Sequence, residues 1–348
     1  MTVVGPFGLS VRDQALEADV QTGLAAVEAG LLDATKSDVP FITEAAQHLV
    51  LAGGKRFRPL LVMLSAQFGD PYAPGVVPSA VVVELTHLAT LYHDDVMDEA
   101  DVRRGVDSAN TRWGNSIAVL TGDFLFARAS HTLADLGPEA VRIQSEAFER
   151  LVTGQILETA GPQEGRDPVD HYLDVLAGKT GSLVAVSCRF GAMMSGADES
   201  VVDILTQYGE RLGVAFQLAD DVLDIASDSH ESGKTPGTDL REGIPTLPVL
   251  RLRAAAAAHG RPEDLELVEL VDGDLTDDAR HAEVLRRLRA HPALEQARRD
   301  TVRYAEEARA MLAPLPDGYA KAALAEMCER VRGAGEEEVT REDGDGVA

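Results

Sequence analysis

Residues 80–105 read AVVVELTHLATLYHDDVMDEADVRRG. The run from Ala80 to Tyr92 is mostly apolar and long enough for a buried helix. It ends in Asp94, Asp95 and Asp98. At ~100° per residue, Asp94 and Asp98 share one helical face and Asp95 flanks it. Carboxylates at a helix C-terminus oppose the macrodipole, at about 0.3–1 kcal/mol each. A cation nearby should offset that cost. Taken alone, the stretch reads equally well as a solvated acidic face.

A second stretch alters that balance. Phe216-Gln217-Leu218-Ala219-Asp220-Asp221-Val222-Leu223-Asp224 repeats the spacing Asp-Asp-x-x-Asp, again at the end of a long apolar helix. If the two helix ends face across a cavity, the carboxylates form a set of hard oxygen ligands. Such a set suits Mg²⁺, which keeps several waters and prefers a few carboxylates plus substrate phosphates to a full protein cage. A calcium EF-hand does not fit, because the stretches lack its loop and turn glycine. Asp94, Asp98 and Asp220 are the primary candidate ligands. Asp95, Asp221 and Asp224 stand beside them, as ligands or as supports of ligands.

The totals narrow the class. The 348 residues carry a net charge of −26, are 45% hydrophobic and include two cysteines. The acidic balance argues against nucleic acid and anionic membrane as partners. Cys188 and Cys328 give no disulfide framework, which fits a reducing compartment. No basic-then-apolar leader begins the chain, and the longest apolar runs are too polar for a bilayer span. The expectation is a soluble, cytoplasmic protein without a transmembrane segment.

The coarse reading is helical throughout. Residues 1–9 are a frayed start. Helices are expected at Val11–Asp33 (interrupted at Gly30), Pro40–Ala52, Leu60–Phe68, Pro78–Asp98, and from an Asn115 or Ser116 cap to Asp135. Others follow at Pro138–Ala160 and, from the Asp167-Pro168 pair, towards Ala177. Gly178-Lys179-Thr180-Gly181 should kink a pattern that continues to Met194. Further helices are expected at Glu199–Ile225, Thr246–Ala258, Thr276–Ala290, Pro292–Leu312 and Asp317–Val331, with a loop over Asp228–Gly243. No stretch shows sustained strand alternation. The expected architecture is all-α: one domain over 1–332, about ten or more helices around a central cavity. Residues 333–348 form an acidic, disordered tail.

Metal-bound phosphate needs additional cations. Against the acidic background, Gly53-Gly54-Lys55-Arg56-Phe57-Arg58 sets flexible backbone beside three of them, ahead of a helix N-terminus. Arg103 and Arg104 close the first aspartate stretch, Lys179 sits at the kink, and Lys234 follows the second stretch. Together with six aspartates, these groupings point to a site that handles diphosphate.

These motifs resemble the polyprenyl synthetase family, the trans-isoprenyl diphosphate synthases. The matching stretches are Gly53-Gly54-Lys55-Arg56-Phe57-Arg58-Pro59, His93–Asp98 with Arg103-Arg104-Gly105, Gly178-Lys179-Thr180, Phe216–Asp224, and Gly233-Lys234 with Gly237-Thr238-Asp239. They run in order from about residue 40 to 250. The resemblance implies an isoprenoid-synthase fold, a homodimer, and Mg²⁺-dependent head-to-tail condensation of isopentenyl diphosphate with an allylic prenyl diphosphate. It implies about three Mg²⁺ per site on the six aspartates. Lys55, Arg58, His87 and Arg104 would hold isopentenyl diphosphate. Arg103, Lys179 and Lys234 would hold the allylic diphosphate. The Thr180 hydroxyl, the Lys179 carbonyl and the Gln217 side chain would steady the allylic cation. Ile244 stands where the family often has lysine, so one diphosphate cation is missing.

Product length is a separate question. Helical geometry puts Thr90, Ala89 and Thr86 four, five and eight residues before Asp94, on the wall leading away from the metals. The family's short-chain members tend to carry an aromatic residue near the fifth position. Small residues here imply an open tunnel and a product longer than farnesyl. Two rival readings are a class I terpene cyclase and a non-catalytic subunit of a heteromeric synthase. The repeated Asp-Asp-x-x-Asp and the Lys55–Arg58 pair speak against the first; six intact aspartates speak against the second.

Overall fold

The computed structural model describes residues 3–4, 9–10, 13–227 and 236–336. The first helices are α1 (Gln14–Ala34), α2 (Pro40–Leu51), α3 (Phe57–Ala66) and α4 (Val76–Met97). They are followed by α5 (Ala109–Trp113), α6 (Asn115–Leu136), α7 (Pro138–Ala160), α8 (Pro168–Leu176), α9 (Ser182–Met194) and α10 (Glu199–Ala226). Helices at Thr238–Arg241, Leu247–His259, Pro262–Val271, Asp278–Arg289, Pro292–Met311 and Tyr319–Glu336 complete the described chain. Among the described residues, strand is confined to two-residue pairs, at 3–4 with 9–10 and at 102–103 with 106–107.

The helices divide into two compact units. One draws on the chain up to Arg150, on Ser182–Glu210 and on Met311–Glu326; the other on Leu151–Gly181, Arg211–Ala310 and the chain from Met327. In the first unit α4 is apolar on nearly every side and packs against α1, α3, α6 and α9. Val82, Val83, Leu85, Leu88 and Tyr92 are fully buried, and each such side chain removed from water stabilises the fold by about 1.5–3 kcal/mol. The Tyr92 hydroxyl donates to Ala45 O at 2.6 Å and accepts the Leu49 N–H at 3.3 Å, tying the end of α4 to α2. The core of the second unit forms on Val214, Leu218, Val222 and Ile225, a helical stripe along α10. That stripe packs with Leu247, Leu252, Leu267, Val284 and Leu288 from the later helices.

Most element expectations hold, and the departures have physical causes. Asp167 caps α8 through the N–H groups of Val169 (2.8 Å) and Asp170 (3.0 Å), with Pro168 at the first helical position. The Gly178–Gly181 kink is a π turn, Ala177–Gly181, that joins α8 to α9 without ending the helical path. Gly30 does not interrupt α1; a Cβ there would stand 2.7 Å from Val81 Cγ2, so the glycine permits close packing on α4. Gly114, at φ 83°, enters α6, and Asn115 is its first helical residue rather than its cap. The helix Pro262–Val271 was not expected, although Pro262 followed by Glu263 and Asp264 is a helix-start pattern. The short α5 and Thr238–Arg241 were also unexpected; single turns leave little periodicity. The last helix continues to Glu336, and residues 337–348 of the expected tail lie outside the described residues.

Candidate active site

In the first unit, α4 stops at Met97. Asp98 (φ −89°, ψ 0°) donates its N–H to Asp94 O at 2.8 Å, and the Ala100 N–H reaches Asp95 O at 2.9 Å. This closure puts Glu99 in the left-handed region, at φ 50°. Glycine is the usual residue there, since a side chain costs about 1–2 kcal/mol. Asp98 is exposed, Asp94 half-buried, and Asp95 fully buried. Arg103 Nε donates to Asp95 Oδ1 at 2.6 Å, while the buried Oδ2 has no hydrogen-bond partner. Burial pushes the Asp95 carboxyl up, and Arg103 holds it back.

Arg103 reaches Asp95 because the chain reverses at once. Val102–Arg103 pairs antiparallel with Val106–Asp107 around Arg104 (φ 54°) and Gly105 (φ 77°). A two-residue loop with both residues at positive φ matches the right-handed strand twist. Ser108 Oγ and Asn110 Nδ2 both donate to Ala100 O, at 2.5 and 3.1 Å, fixing the loop after the aspartates.

The hairpin also presents Arg104 to the Gly53-Gly54 turn. Arg104 Nη1 donates to Leu49 O (2.9 Å) and to Gly53 O, which accepts Arg56 Nη1 as well, at 3.3 Å. A Cβ on Gly54 would lie 2.8 Å from Arg104 Cζ and 2.9 Å from Arg56 Nη1, so a side chain there would have to displace the two guanidinium groups. Arg56 itself points inward and pairs with Glu28 and Glu84. Lys55 is exposed. The Arg58 Nε is buried with no partner, and burial pushes its guanidinium down to about 10, with Glu84 opposing and Arg104 adding to the shift. Burial first, and then Arg58, Arg104, Arg103 and Arg56, hold the His87 imidazole well below its ordinary range. At neutral pH it is an uncharged ring among guanidinium groups.

The expected wall residues differ in surroundings. Ala89 is fully buried. Thr86, also buried, accepts Gln144 Nε2 from α7 at 3.0 Å. Thr90 is half-buried and donates to His87 O at 2.8 Å. Of the three, Thr90 alone keeps appreciable accessible surface.

In the second unit, Asp220, Asp221 and Asp224 sit in the last two turns of α10. Asp220 is exposed. Asp221 is buried, accepts the Tyr172 hydroxyl from α8, and lies 3.5 Å from the Leu247 N–H. Burial pushes its carboxyl up to about 7; bonds from Tyr172 and Gln217 oppose the shift, and Asp239 adds to it. Asp224 supports the following turn: Oδ1 accepts the Thr238 N–H at 3.1 Å, Oδ2 the Asp239 N–H at 3.3 Å, and its carbonyl the Gly237 N–H at 2.7 Å. Lys179 and Thr180 lie in the π turn, where Lys179 Nζ pairs with Glu158 at 2.6 Å. Ile244 is exposed. Lys234 lies outside the described residues.

Sequence reasoning missed Glu84, Glu158 and Tyr172 as parts of these arrangements. Glu84 left a legible signal, a lone carboxylate inside an apolar run. Tyr172 and Glu158 left none, because each meets its partner only through the fold.

A helical fold carrying an Asp-Asp-x-x-Asp end in each unit, one beside a basin of arginines, defines an isoprenoid-synthase type of protein. Comparison with known proteins agrees. The family model for polyprenyl synthetase matches residues 39–288. A nonaprenyl diphosphate synthase from Mycobacterium tuberculosis is 47% identical over 323 residues, 92% of this chain and 95% of that protein. Among solved structures, a geranylgeranyl pyrophosphate synthase from Corynebacterium glutamicum, complexed with calcium and isoprenyl diphosphate, is 42% identical. It superposes with a TM-score of 0.83 over 94% of this chain and 99% of that one. A decaprenyl diphosphate synthase from Rhodobacter capsulatus gives a TM-score of 0.82 at 34% identity, over 91% of this chain and 98% of that one. The chain belongs to the polyprenyl synthetase family and is accordingly a prenyltransferase, a polyprenyl diphosphate synthase. No described helix is long and apolar enough to cross a membrane.

Proposed function

We propose that the chain condenses isopentenyl diphosphate with an allylic prenyl diphosphate in the presence of Mg²⁺, building a trans-polyprenyl diphosphate longer than farnesyl and releasing pyrophosphate. The observation that carries the reading is the paired motif: the same carboxylate spacing at two helix ends, one with Arg58, His87, Arg103 and Arg104 gathered behind it. The relatives, geranylgeranyl, nonaprenyl and decaprenyl diphosphate synthases, support a product beyond farnesyl.

The donor set fits a hard divalent cation. Asp94, Asp98 and Asp220 offer accessible carboxylate oxygens, and Asp95 adds a buried one without a partner. Among the described residues no three His, Cys, Asp or Glu are grouped to hold a metal unaided; Mg²⁺ would draw its remaining ligands from water and phosphate oxygens. Asp94 and Asp98 at the first motif, and Asp220 at the second, would hold such ions, which would neutralise the leaving diphosphate.

The protein groups divide the remaining work. Lys55, Arg58 and Arg104 bind the diphosphate of isopentenyl diphosphate, with neutral His87 as a further donor. Arg103, Lys179 and Lys234 hold the allylic diphosphate as its C–O bond breaks. The Lys179 carbonyl, the Thr180 hydroxyl and Gln217 turn their dipoles on the allylic cation. The terminal double bond of isopentenyl diphosphate attacks that cation, and the proton then lost passes to the departed pyrophosphate. The π turn suits this role, because its widened hydrogen-bonding loosens backbone carbonyls from the helix.

Incubating the purified chain with Mg²⁺, isopentenyl diphosphate and farnesyl diphosphate, followed by mass analysis of the products, tests the proposal. Elongated diphosphate is expected. Cyclised hydrocarbon would point to a cyclase, and no turnover to a heteromeric subunit. Farnesyl diphosphate as sole end product from shorter starters would sink the open tunnel. Thr90→Phe should shorten the product. Ala89→Phe should do so as well, but at about 1–3 kcal/mol of overpacking, since Ala89 is fully buried.

A further inference from the structure

Among the described residues, three other than glycine have positive φ: Arg56 (47°), Glu99 (50°) and Arg104 (54°). All three lie around the first acidic motif and its arginine basin. Strained backbone persists only where surrounding contacts over-determine it. For Glu99 those contacts are the backbone closure of α4. For Arg56 and Arg104 they converge on one side chain, Glu84.

Glu84 is 1% exposed in the middle of α4, one turn before His87. Its Oε1 lies 3.1 Å from Arg56 Nη1 and 3.8 Å from Arg104 Nη2. It also counts among the charges acting on Arg58. Arg56 is saturated by protein: besides Glu84 it donates to both oxygens of Glu28, to Gly53 O and to Val50 O at 3.0 Å. It is a strut with no donor left for substrate. Arg104 differs, since its charge is offset by the shared Glu84 and its Nη1 rests on backbone carbonyls. Without an internal anion, several guanidinium groups in one half-buried basin would repel one another and drift before any diphosphate arrives.

We propose that Glu84 is the positioning residue of the isopentenyl diphosphate subsite, a buried counter-anion that holds two left-handed arginines in place so that the basin is preformed before substrate enters. The inference rests on the assignment of Arg58 and Arg104 to that subsite. Glu84 does not touch substrate; it acts through Arg56 and Arg104, with Glu28 bracing Arg56 from α1.

The test is steady-state kinetics of Glu84→Gln, which keeps shape and removes charge, with thermal melting as a control. The KM for isopentenyl diphosphate should rise about tenfold or more, while kcat and the KM for the allylic diphosphate change by less than about threefold. A KM for isopentenyl diphosphate within twofold of the parent would overturn the proposal, as would an equal rise in both KM values. If Glu84→Gln does not fold, Glu28→Gln decides from the partly exposed end of the network: a selective, severalfold KM rise supports the proposal and no change overturns it. Arg104→Gln is measured in parallel. Should it leave the KM for isopentenyl diphosphate unchanged, the subsite assignment fails and this inference with it. Should it raise that KM while Glu84→Gln does not, the role of Glu84 alone is overturned.

Discussion

The two acidic motifs share a spacing and little else. At Asp94–Asp98 the helix terminates inside the motif. Asp98 is the exposed terminal residue, Glu99 is strained, and the buried middle aspartate meets a guanidinium. At Asp220–Asp224 the helix runs on to Ala226. Here the buried middle aspartate meets a phenol, and the third carboxylate holds the next helical turn. A period of 3.6 residues fixes which carboxylates share a face; the surrounding fold fixes how much charge each retains. Burial raises both middle carboxyls; the Arg103 cation holds Asp95 back, whereas the Tyr172 phenol leaves Asp221 raised to about 7.

The largest expected effect treats the motifs as equals. Asp94→Ala and Asp220→Ala should each lower kcat/KM by about 10³-fold or more, because each would remove a proposed oxygen ligand at a developing anion. A motif whose first aspartate is dispensable in this assay would break the symmetry. Asp224→Ala should separate the third positions. It removes side-chain support from the Thr238–Asp239 turn, and a loss of about tenfold is expected, well below that of Asp98→Ala at a proposed ligand.

The pH response should distinguish the middle positions. The Asp221 carboxyl rises from an ordinary 3.8 to about 7 in the folded chain. The native state therefore binds more protons than the unfolded state between those values, and metal-free stability falls as pH rises through that window. Melting temperatures measured in chelator from pH 5 to 8 should show a decline that Asp221→Asn flattens. Tyr172→Phe should extend the decline to higher pH by removing a bond to the carboxylate. The smallest effect belongs to Glu99. Glu99→Gly should relieve the left-handed backbone and raise the melting temperature by ~2 °C, about 1 kcal/mol.

The phase of both motifs, the Asp167 cap and the break at Gly178–Gly181 were legible because each depends on residues within a turn or two. The partners that define the sites were not. Arg56 finds Glu28 across 28 residues and Tyr172 finds Asp221 across 49, and neither pair leaves a local pattern. Gly53-Gly54-Lys55-Arg56-Phe57-Arg58 reads as three equivalent cations. The structure separates them: Lys55 is exposed, Arg56 is locked inward and Arg58 is half-buried with a buried, unpaired Nε. A left-handed turn at Arg56 makes that separation, and no residue type in the stretch announces it.

The cationic basin belongs to a chain of net charge −26. At long range the protein repels a free diphosphate; within about 8 Å, the screening length at physiological ionic strength, the arginines dominate. Encounter should thus be slow at low salt and faster as added electrolyte shrinks the outer field, the reverse of an enzyme that steers its anionic substrate by net charge. The same acidic exterior enriches divalent cations near the surface. A diphosphate arriving with its charge already partly neutralised by one of them crosses the smaller barrier.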